Sequence, residues 1–385
     1  VPAIDVPQPA FMEDDELRLF ADAVDQFLRK WAGPAQTAAW RDEGMVPRAL
    51  WREAGEAGLL GASLPAEYGG SGGDFRFDVV VMQALGRHNA LNFAVPLHAA
   101  VIAPYIAQYG TEAQRRRYLP SAASGERILA IAMTEPAAGS DLQGMKTTAR
   151  REGDHYVING QKTFISNGLV AETVIVAAKT DPAARAKGIS LFIVDTDTPG
   201  FARGPALHKL GQGGRDTAEL FFSDMVVPVD CLLGREGGGF AMLMDKLPQE
   251  RLVIAWQAMA MIEAALETTV AYVKQRRAFG KALFDFQNTQ FKLAECKTQA
   301  TIAKVFLHDC TEKLLQGRLD AATASMAKYW ITEAQAKIID ECLQLHGGYG
   351  YMAEYPISDM YRDARGYRIY GGTNEIMKLL IARSI

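Results

Sequence analysis

The chain has 385 residues, of which 49% are apolar and 22% charged, with a formal net charge of −4. That length exceeds one ordinary domain, and the composition is globular and not disordered. No lysine or arginine run is long enough to track a nucleic-acid backbone, and no apolar run approaches the ~20 residues of a membrane span.

Val1 to Pro9 has neither a basic n-region nor an apolar h-region, so no secretory signal is expected. The first third reads as helices. From Asp14 to Trp31 the apolar residues Leu17, Phe20, Val24, Phe27 and Leu28 fall on one helical face. Pro47 marks a second helix start, where its missing N–H costs nothing. Gly69 to Gly73 is a loop, and helix is expected over Val79–Leu85, Val101–Tyr109 and Glu112–Leu119. From about Arg127 the period changes. Asn159-Gly160 lies between two strand-like runs, a strong hairpin signal, and Val174–Ala177, Ile189–Val194 and Ala218–Phe222 read as further short strands. This β module is expected to be a sandwich or barrel ending near Gly237–Gly239. Helix returns at Phe240. Leu283–Leu315 and Ala321–Leu345 are apolar on more than one side, as buried bundle helices are. The reading is an α+β, mainly helical chain with domains at 1–126 (helical), 127–237 (β) and 238–385 (helical bundle).

The four cysteines have no C-x-x-C spacing, which fits a reducing compartment and argues against a zinc site or disulfide framework. Cys296 and Cys310 are expected on one buried helical face. None of the six histidines has metal-ligand spacing, so no metal is expected.

Three stretches stand out: Met133-Thr134-Glu135-Pro136 with Gly139-Ser140-Asp141; Gln249-Glu250-Arg251-Leu252; and Ile369-Tyr370-Gly371-Gly372-Thr373-Asn374-Glu375. Together they resemble the acyl-CoA dehydrogenase family over nearly the whole chain, closest to its long-chain and isovaleryl branches. Many members carry the catalytic glutamate just after the Ile-Tyr pair, where this chain has Gly371. A carboxylate stands instead at Glu250, the position those two branches use. Removing the α-proton of a thioester needs a positioned carboxylate screened from water, beside donors for the enolate oxygen. Glu250 lies among Met244, Leu247, Leu252, Val253 and Ile254, where desolvation would raise its pKa. The competing reading is a surface glutamate paired with Arg251 or Arg276. Gly371, whether or not it also serves a turn, is expected to offer its backbone N–H to the thioester carbonyl.

No Rossmann or P-loop glycine pattern occurs. The resemblance implies FAD held between the β module and the C-terminal bundle. It places Ile131, Met133, Thr134, Ser140, Phe164, Ser166, Thr373 and Glu375 at the flavin, Phe164 standing where many relatives have Trp. It places Arg276, Phe279, Gln287, Gln344, Gly347 and Gly348 at the dinucleotide of a neighbouring subunit, which implies a homotetramer or at least a dimer. Arginine suits pyrophosphate because its planar fork meets two oxygens at once. Ser140, Arg251, Tyr370 and Gly371 are expected at the substrate. Pocket depth is expected from a helix around Leu91–Ala103, with Asn92 and Pro96 where blocking side chains close the shorter-chain pockets of some relatives. His346 is read as packing.

The implied activity is α,β-dehydrogenation of acyl-CoA thioesters, medium to long chains favoured. Electrons would pass to an electron-transfer flavoprotein, in a bacterial cytoplasm or a mitochondrial matrix. A short branched-chain substrate, an oxygen-using oxidase and a non-catalytic helical assembly protein are the alternatives.

Overall fold

The computed structural model describes residues 3–385. The first two residues of the Val1–Pro9 stretch lie outside that range. The N-terminal helices are α1 (Asp15–Trp31), α2 (Pro34–Glu43), α3 (Arg48–Glu56), α4 (Phe75–Arg87), α5 (Ala103–Tyr109) and α6 (Glu112–Ala123). Their starts are written in the sequence. The Asp14 side chain accepts from Glu16 N, Asp74 accepts from Arg76 N, and Thr111 with Gln114 forms a capping box. α1 buries Leu17, Val24, Phe27 and Leu28 of the expected stripe, while Phe20 is half-buried.

Eight strands follow: β1 (Leu129–Ala132), β2 (Thr148–Glu152), β3 (His155–Ser166), β4 (Thr173–Lys179), β5 (Ile189–Asp195), β6 (Phe201–Ala206), β7 (Thr217–Pro228) and β8 (Leu232–Leu233). They pair in the order β6-β7-β3-β2-β4-β5-β8, with β1 parallel to β4. One residue pair, Thr148 with Lys179, joins β2 to β4 and so links the two parts of the sheet.

The expected Asn159-Gly160 hairpin does not form. β3 runs straight through it, with a register shift against β7 between Ile158 and Gly160. Asn159 pairs with Asp224 through its Nδ2 (3.0 Å) and accepts from Asp224 N (2.8 Å). Gly160 adopts φ +148°, and a Cβ there would lie 2.4 Å from Thr147 Oγ1. The glycine therefore serves a bulge pressed against a neighbouring segment. The reversal into β3 comes at Gly153-Asp154.

The C-terminal helices are α7 (Gly239–Gln275), α8 (Gln287–Leu315), α9 (Ala321–His346), α10 (Pro356–Tyr367) and α11 (Asn374–Ala382). The helix expected from Leu283 starts four residues later, because Leu283–Asp285 is a separate 3-10 turn. Every residue of α7 from Glu250 to Ile262 is buried, so this helix is the axis of the molecule. α4 lies against it so closely that a Cβ on Gly86 would fall 2.5 Å from Ala260 Cβ. The N-terminal helices and the bundle thus share a core, which lets residues from both reach one site. Cys296 and Cys310 are both buried, as expected. Among the described residues no helix is long and apolar enough to cross a membrane.

Candidate active site

Glu250 sits on α7 and is 7% exposed. Burial pushes its carboxyl up to about 7, against the opposing pull of the Tyr105 hydroxyl, Arg251 and Lys246. Tyr105, fully buried on α5, donates its hydroxyl to Glu250 Oε1 at 2.6 Å. The surface-glutamate reading is therefore excluded. Arg251 is also buried and does not pair with this carboxylate. Its guanidinium donates to Ala321 O at 3.4 Å, and its Nε has no protein partner.

The Gly371-Gly372 turn follows α10, with φ of +64° and +87°, a backbone that only glycine adopts without strain. A Cβ on Gly371 would fall 2.2 Å from Ile254 Cδ1, so this turn abuts α7 one helical turn beyond Glu250. Lys328 of α9, fully buried, holds the turn from behind. Its ammonium donates to Gly372 O (2.7 Å) and Asn374 Oδ1 (2.9 Å). Burial, reinforced by Arg251, pulls that ammonium down to about 8. The Thr373 hydroxyl accepts from Ile376 N at the start of α11, and Glu375 is exposed.

On the β side, the stretch Met133-Thr134-Glu135 is locked to β3. Lys162 Nζ donates to Met133 O (3.0 Å) and Glu135 Oε1 (2.8 Å), and Thr163 N donates to Thr134 O (2.9 Å). Burial works against ionisation of Glu135, but Lys162 and the amides of Thr147 and Lys146 outweigh it and hold its carboxyl below the ordinary range. Phe164 then projects outward, 69% exposed, at a positive φ of +59°. A large aromatic held outward at that backbone angle is strained, and it offers a flat apolar face to a ligand. Ile131 on β1, Ser166 and Met133 are half-buried, and Ser140 is exposed. A Cβ at Gly139 would meet no atom within 4 Å, so the backbone beside Ser140 borders open space.

Arg276, Gln344, Gly347 and Gly348 line one surface cleft with Tyr272 and Tyr349. Arg276 caps the far end of α7, roughly 40 Å along the helix from Glu250 at 1.5 Å per residue. The structure does not bring this group together with Glu250 in one chain. A Cβ at Gly347 or Gly348 would meet nothing within 4 Å, so the backbone there is open to a ligand. Phe279 is almost wholly exposed, and Gln287 opens α8 from an exposed position. His346 is buried, stacked on Tyr272, with Nδ1 on Cys342 O at 2.8 Å.

The pocket-wall expectation needs correction. No helix spans Leu91–Ala103, since helix begins only at Val95 and is π-wound over Leu97–Ile102. Asn92 lies in the turn before it and donates its amide to Asp363 Oδ2 at 3.2 Å. Asp363 also binds the Arg41 guanidinium through both oxygens (3.0 and 3.3 Å) and accepts from Gln212 N. A buried carboxylate must gather donors, and this one recruits them from the N-terminal helices and the β module. Gln212 in turn donates to Tyr370 Oη (3.2 Å), next to Gly371. Pro96 is buried just ahead of the π-wound segment.

Sequence reasoning missed Tyr105, Lys328, the Lys162–Glu135 pair and Asp363. Pro104, beside Tyr105, was the one local irregularity that could have drawn attention to that residue.

Comparison with known proteins decides the family. Residues 14–126, 130–225 and 237–385 match the family models for the N-terminal, middle and C-terminal domains of acyl-CoA dehydrogenase. The mitochondrial long-chain specific acyl-CoA dehydrogenase of Mus musculus is 47% identical over 369 residues, covering 95% of this chain and 86% of that protein. This chain belongs to the acyl-CoA dehydrogenase family. The crystal structure of an acyl-CoA dehydrogenase from Geobacillus kaustophilus superposes with a TM-score of 0.94 at 47% identity, covering 96% of this chain and 98% of that one. The mitochondrial isovaleryl-CoA dehydrogenase of Pongo abelii is 36% identical over 374 residues, 96% of this chain and 88% of that protein.

Acyl-CoA dehydrogenases are flavoproteins, and the residues present fit a flavin. On the β side, Phe164 presents an exposed aromatic face next to the locked Met133–Glu135 stretch, and the backbone at Gly139 borders open space. The Arg276 cleft with its uncovered glycines suits the phosphate and adenosine end.

Proposed function

We propose that this acyl-CoA dehydrogenase desaturates medium- to long-chain acyl-CoA thioesters between Cα and Cβ, with Glu250 as the base. The observation that carries the proposal is the buried carboxylate of Glu250 beside a positive-φ glycine turn. Its raised pKa makes it a stronger base toward a weakly acidic C–H than an ordinary carboxylate, while leaving it ionised in alkaline solution.

The residues divide the work. Glu250 accepts the α-proton, and the Gly371 N–H, fixed by the turn that Lys328 clamps, donates to the thioester oxygen as negative charge gathers there. Ser140, Arg251 and Tyr370 orient the thioester and the CoA portion. Bound FAD supplies the hydride acceptor for the β-carbon. Ile131, Met133, Thr134, Phe164, Ser166, Thr373 and Glu375 would hold its ring and ribityl chain.

The Arg276, Phe279, Gln287, Gln344, Gly347 and Gly348 group lies too far along α7 to serve the same end of the same cofactor. A second copy presenting it to this chain's FAD gives assembly into a dimer, or a homotetramer of two such dimers, its purpose. Electron delivery to an electron-transfer flavoprotein completes the cycle. The similarity to long-chain enzymes supports the chain-length preference, which titration with acyl-CoAs of graded length and branching tests directly.

The decisive experiment is anaerobic stopped-flow bleaching of the flavin by acyl-CoA. Glu250→Gln is expected to keep FAD and bind substrate, yet to lose reduction by about 10²–10⁴-fold, the usual contribution of a general base. Bleaching near the wild-type rate rejects Glu250. A purified protein unable to hold FAD rejects the enzyme reading, and fast peroxide formation in air favours the oxidase alternative.

A further inference from the structure

The helix that carries Tyr105 is irregular just where it faces Glu250. Leu97–Ile102 is π-wound, and Pro104 follows at once. A π turn holds extra backbone per turn, so residues beyond it are rotated by about 100° for each added residue relative to a continuous α-helix. Pro104 lacks the N–H that an α-helix would direct at Ala100 O. The Gln249 side chain donates to that carbonyl at 2.8 Å. The next residue of α7, Glu250, takes the Tyr105 hydroxyl at 2.6 Å. Two adjacent side chains of α7 are thus bonded to the two features that the irregularity creates.

We propose that Tyr105 is a positioning residue for the catalytic carboxylate: its hydroxyl pins Glu250 Oε1 and leaves Oε2 as the atom that meets the substrate. Among the described residues no other hydrogen bond reaches this carboxylate. An unpinned glutamate side chain rotates among several rotamers, and a proton transfer at fixed geometry loses rate with each one. The hydroxyl also stabilises the ionised form and so partly offsets the burial that raises this carboxyl; one contact acts on both the aim and the strength of the base. The charged and titratable groups around it are Tyr105 and Tyr109 on α5, and Asp245, Lys246 and Arg251 on its own helix. Tyr109 donates to Asp245, not to Glu250, and so supplies an internal control.

The inference rests on Glu250 being the base, and its test separates the two claims. Rates of flavin reduction are measured against pH for wild type, Tyr105→Phe and Tyr109→Phe, each loaded with FAD. Tyr105→Phe removes a bond that favours the carboxylate, so the acidic limb of the profile is expected to move up by about one pH unit. The loss is then about tenfold greater on the acidic side of the limb than on the alkaline plateau. Tyr109→Phe is expected to leave the limb in place. Site-specific 3,5-difluorotyrosine at position 105 keeps the shape but donates more strongly, and is expected to move the limb down. This covers the case in which Tyr105→Phe does not fold. A limb unmoved by the position-105 variants, or moved equally by Tyr109→Phe, overturns the positioning role. If Glu250→Gln reduces flavin normally, the base assignment itself fails, whatever Tyr105 does.

Discussion

The backbone of Gly371 rests against the side chain of Ile254, which lies on the same helix as Glu250 and one turn beyond it. A Cβ built on Gly371 would stand 2.2 Å from Ile254 Cδ1. The Gly371 turn and the stretch of α7 that carries Glu250 are therefore packed together. In this chain Ile254 occupies the space that a side chain at 371 would need.

Replacing Gly371 with alanine tests that contact. The positive φ costs a non-glycine residue about 1–2 kcal/mol, and the new methyl group collides with Ile254. We expect Gly371→Ala to lower both stability in denaturant and the rate of flavin reduction. Adding Ile254→Val removes the colliding methyl and restores part of the loss, but not the backbone share. A double variant no better than the single would show that the side-chain contact is unimportant.

The pH profile follows from the direction of the Glu250 shift. Its carboxyl is raised to about 7, so more acidic solution protonates the base and the lone pair is lost. Reduction by acyl-CoA is expected to fall about tenfold per unit on the acidic side and to level off on the alkaline side. The apparent pKa from kcat/KM belongs to the free enzyme and is the value to compare. A profile flat from pH 5 to pH 9, about two units either side of the shifted value, contradicts a base with this environment.

Lys328 is expected to matter although it lies outside the catalytic sequence stretches. Lys328→Met leaves the Gly372 carbonyl without its 2.7 Å donor. One buried acceptor stranded in this way costs about 1–3 kcal/mol. Because the same turn carries the Gly371 amide, reduction should slow by at least about tenfold even where the protein remains folded and flavin-loaded. Unchanged kinetics in a folded variant would separate the clamp from catalysis.

The Lys162–Glu135 pair is the corresponding clamp on the β side. Lys162→Met strands a buried carboxylate and is expected to cost about 3–5 kcal/mol, with weakened FAD retention. Pairing it with Glu135→Gln removes the stranded charge, and the double variant should be less damaged than the sum of the singles. Thermal unfolding of the four proteins measures the coupling. Strict additivity would mean that the two side chains do not act together.

Local patterns in the chain were enough for the order of helical, β and helical segments, and for most individual elements. The stripe Leu17, Val24, Phe27 and Leu28 is decided within a few helical turns and is buried, with Phe20 half-buried; the caps Asp14, Asp74 and Thr111 that the structure adds are equally local. The Asn159-Gly160 signal is just as local, yet it yielded to pairing with β7 and to pressure from Thr147. A turn preference is worth less than a row of interstrand hydrogen bonds.

The amino-acid sequence by itself determined the family stretches, the vacancy at Gly371 and the carboxylate at Glu250. Only the tertiary structure decided what surrounds that carboxylate. Tyr105, Gln249 with Ala100 O, Lys328 with Gly372 O, and Asp363 with Arg41 and Asn92 are all partnerships between residues far apart in the chain. No periodicity encodes them. Each arises because packing takes polar groups out of water, and once there they must find partners wherever the neighbouring helix or loop presents one.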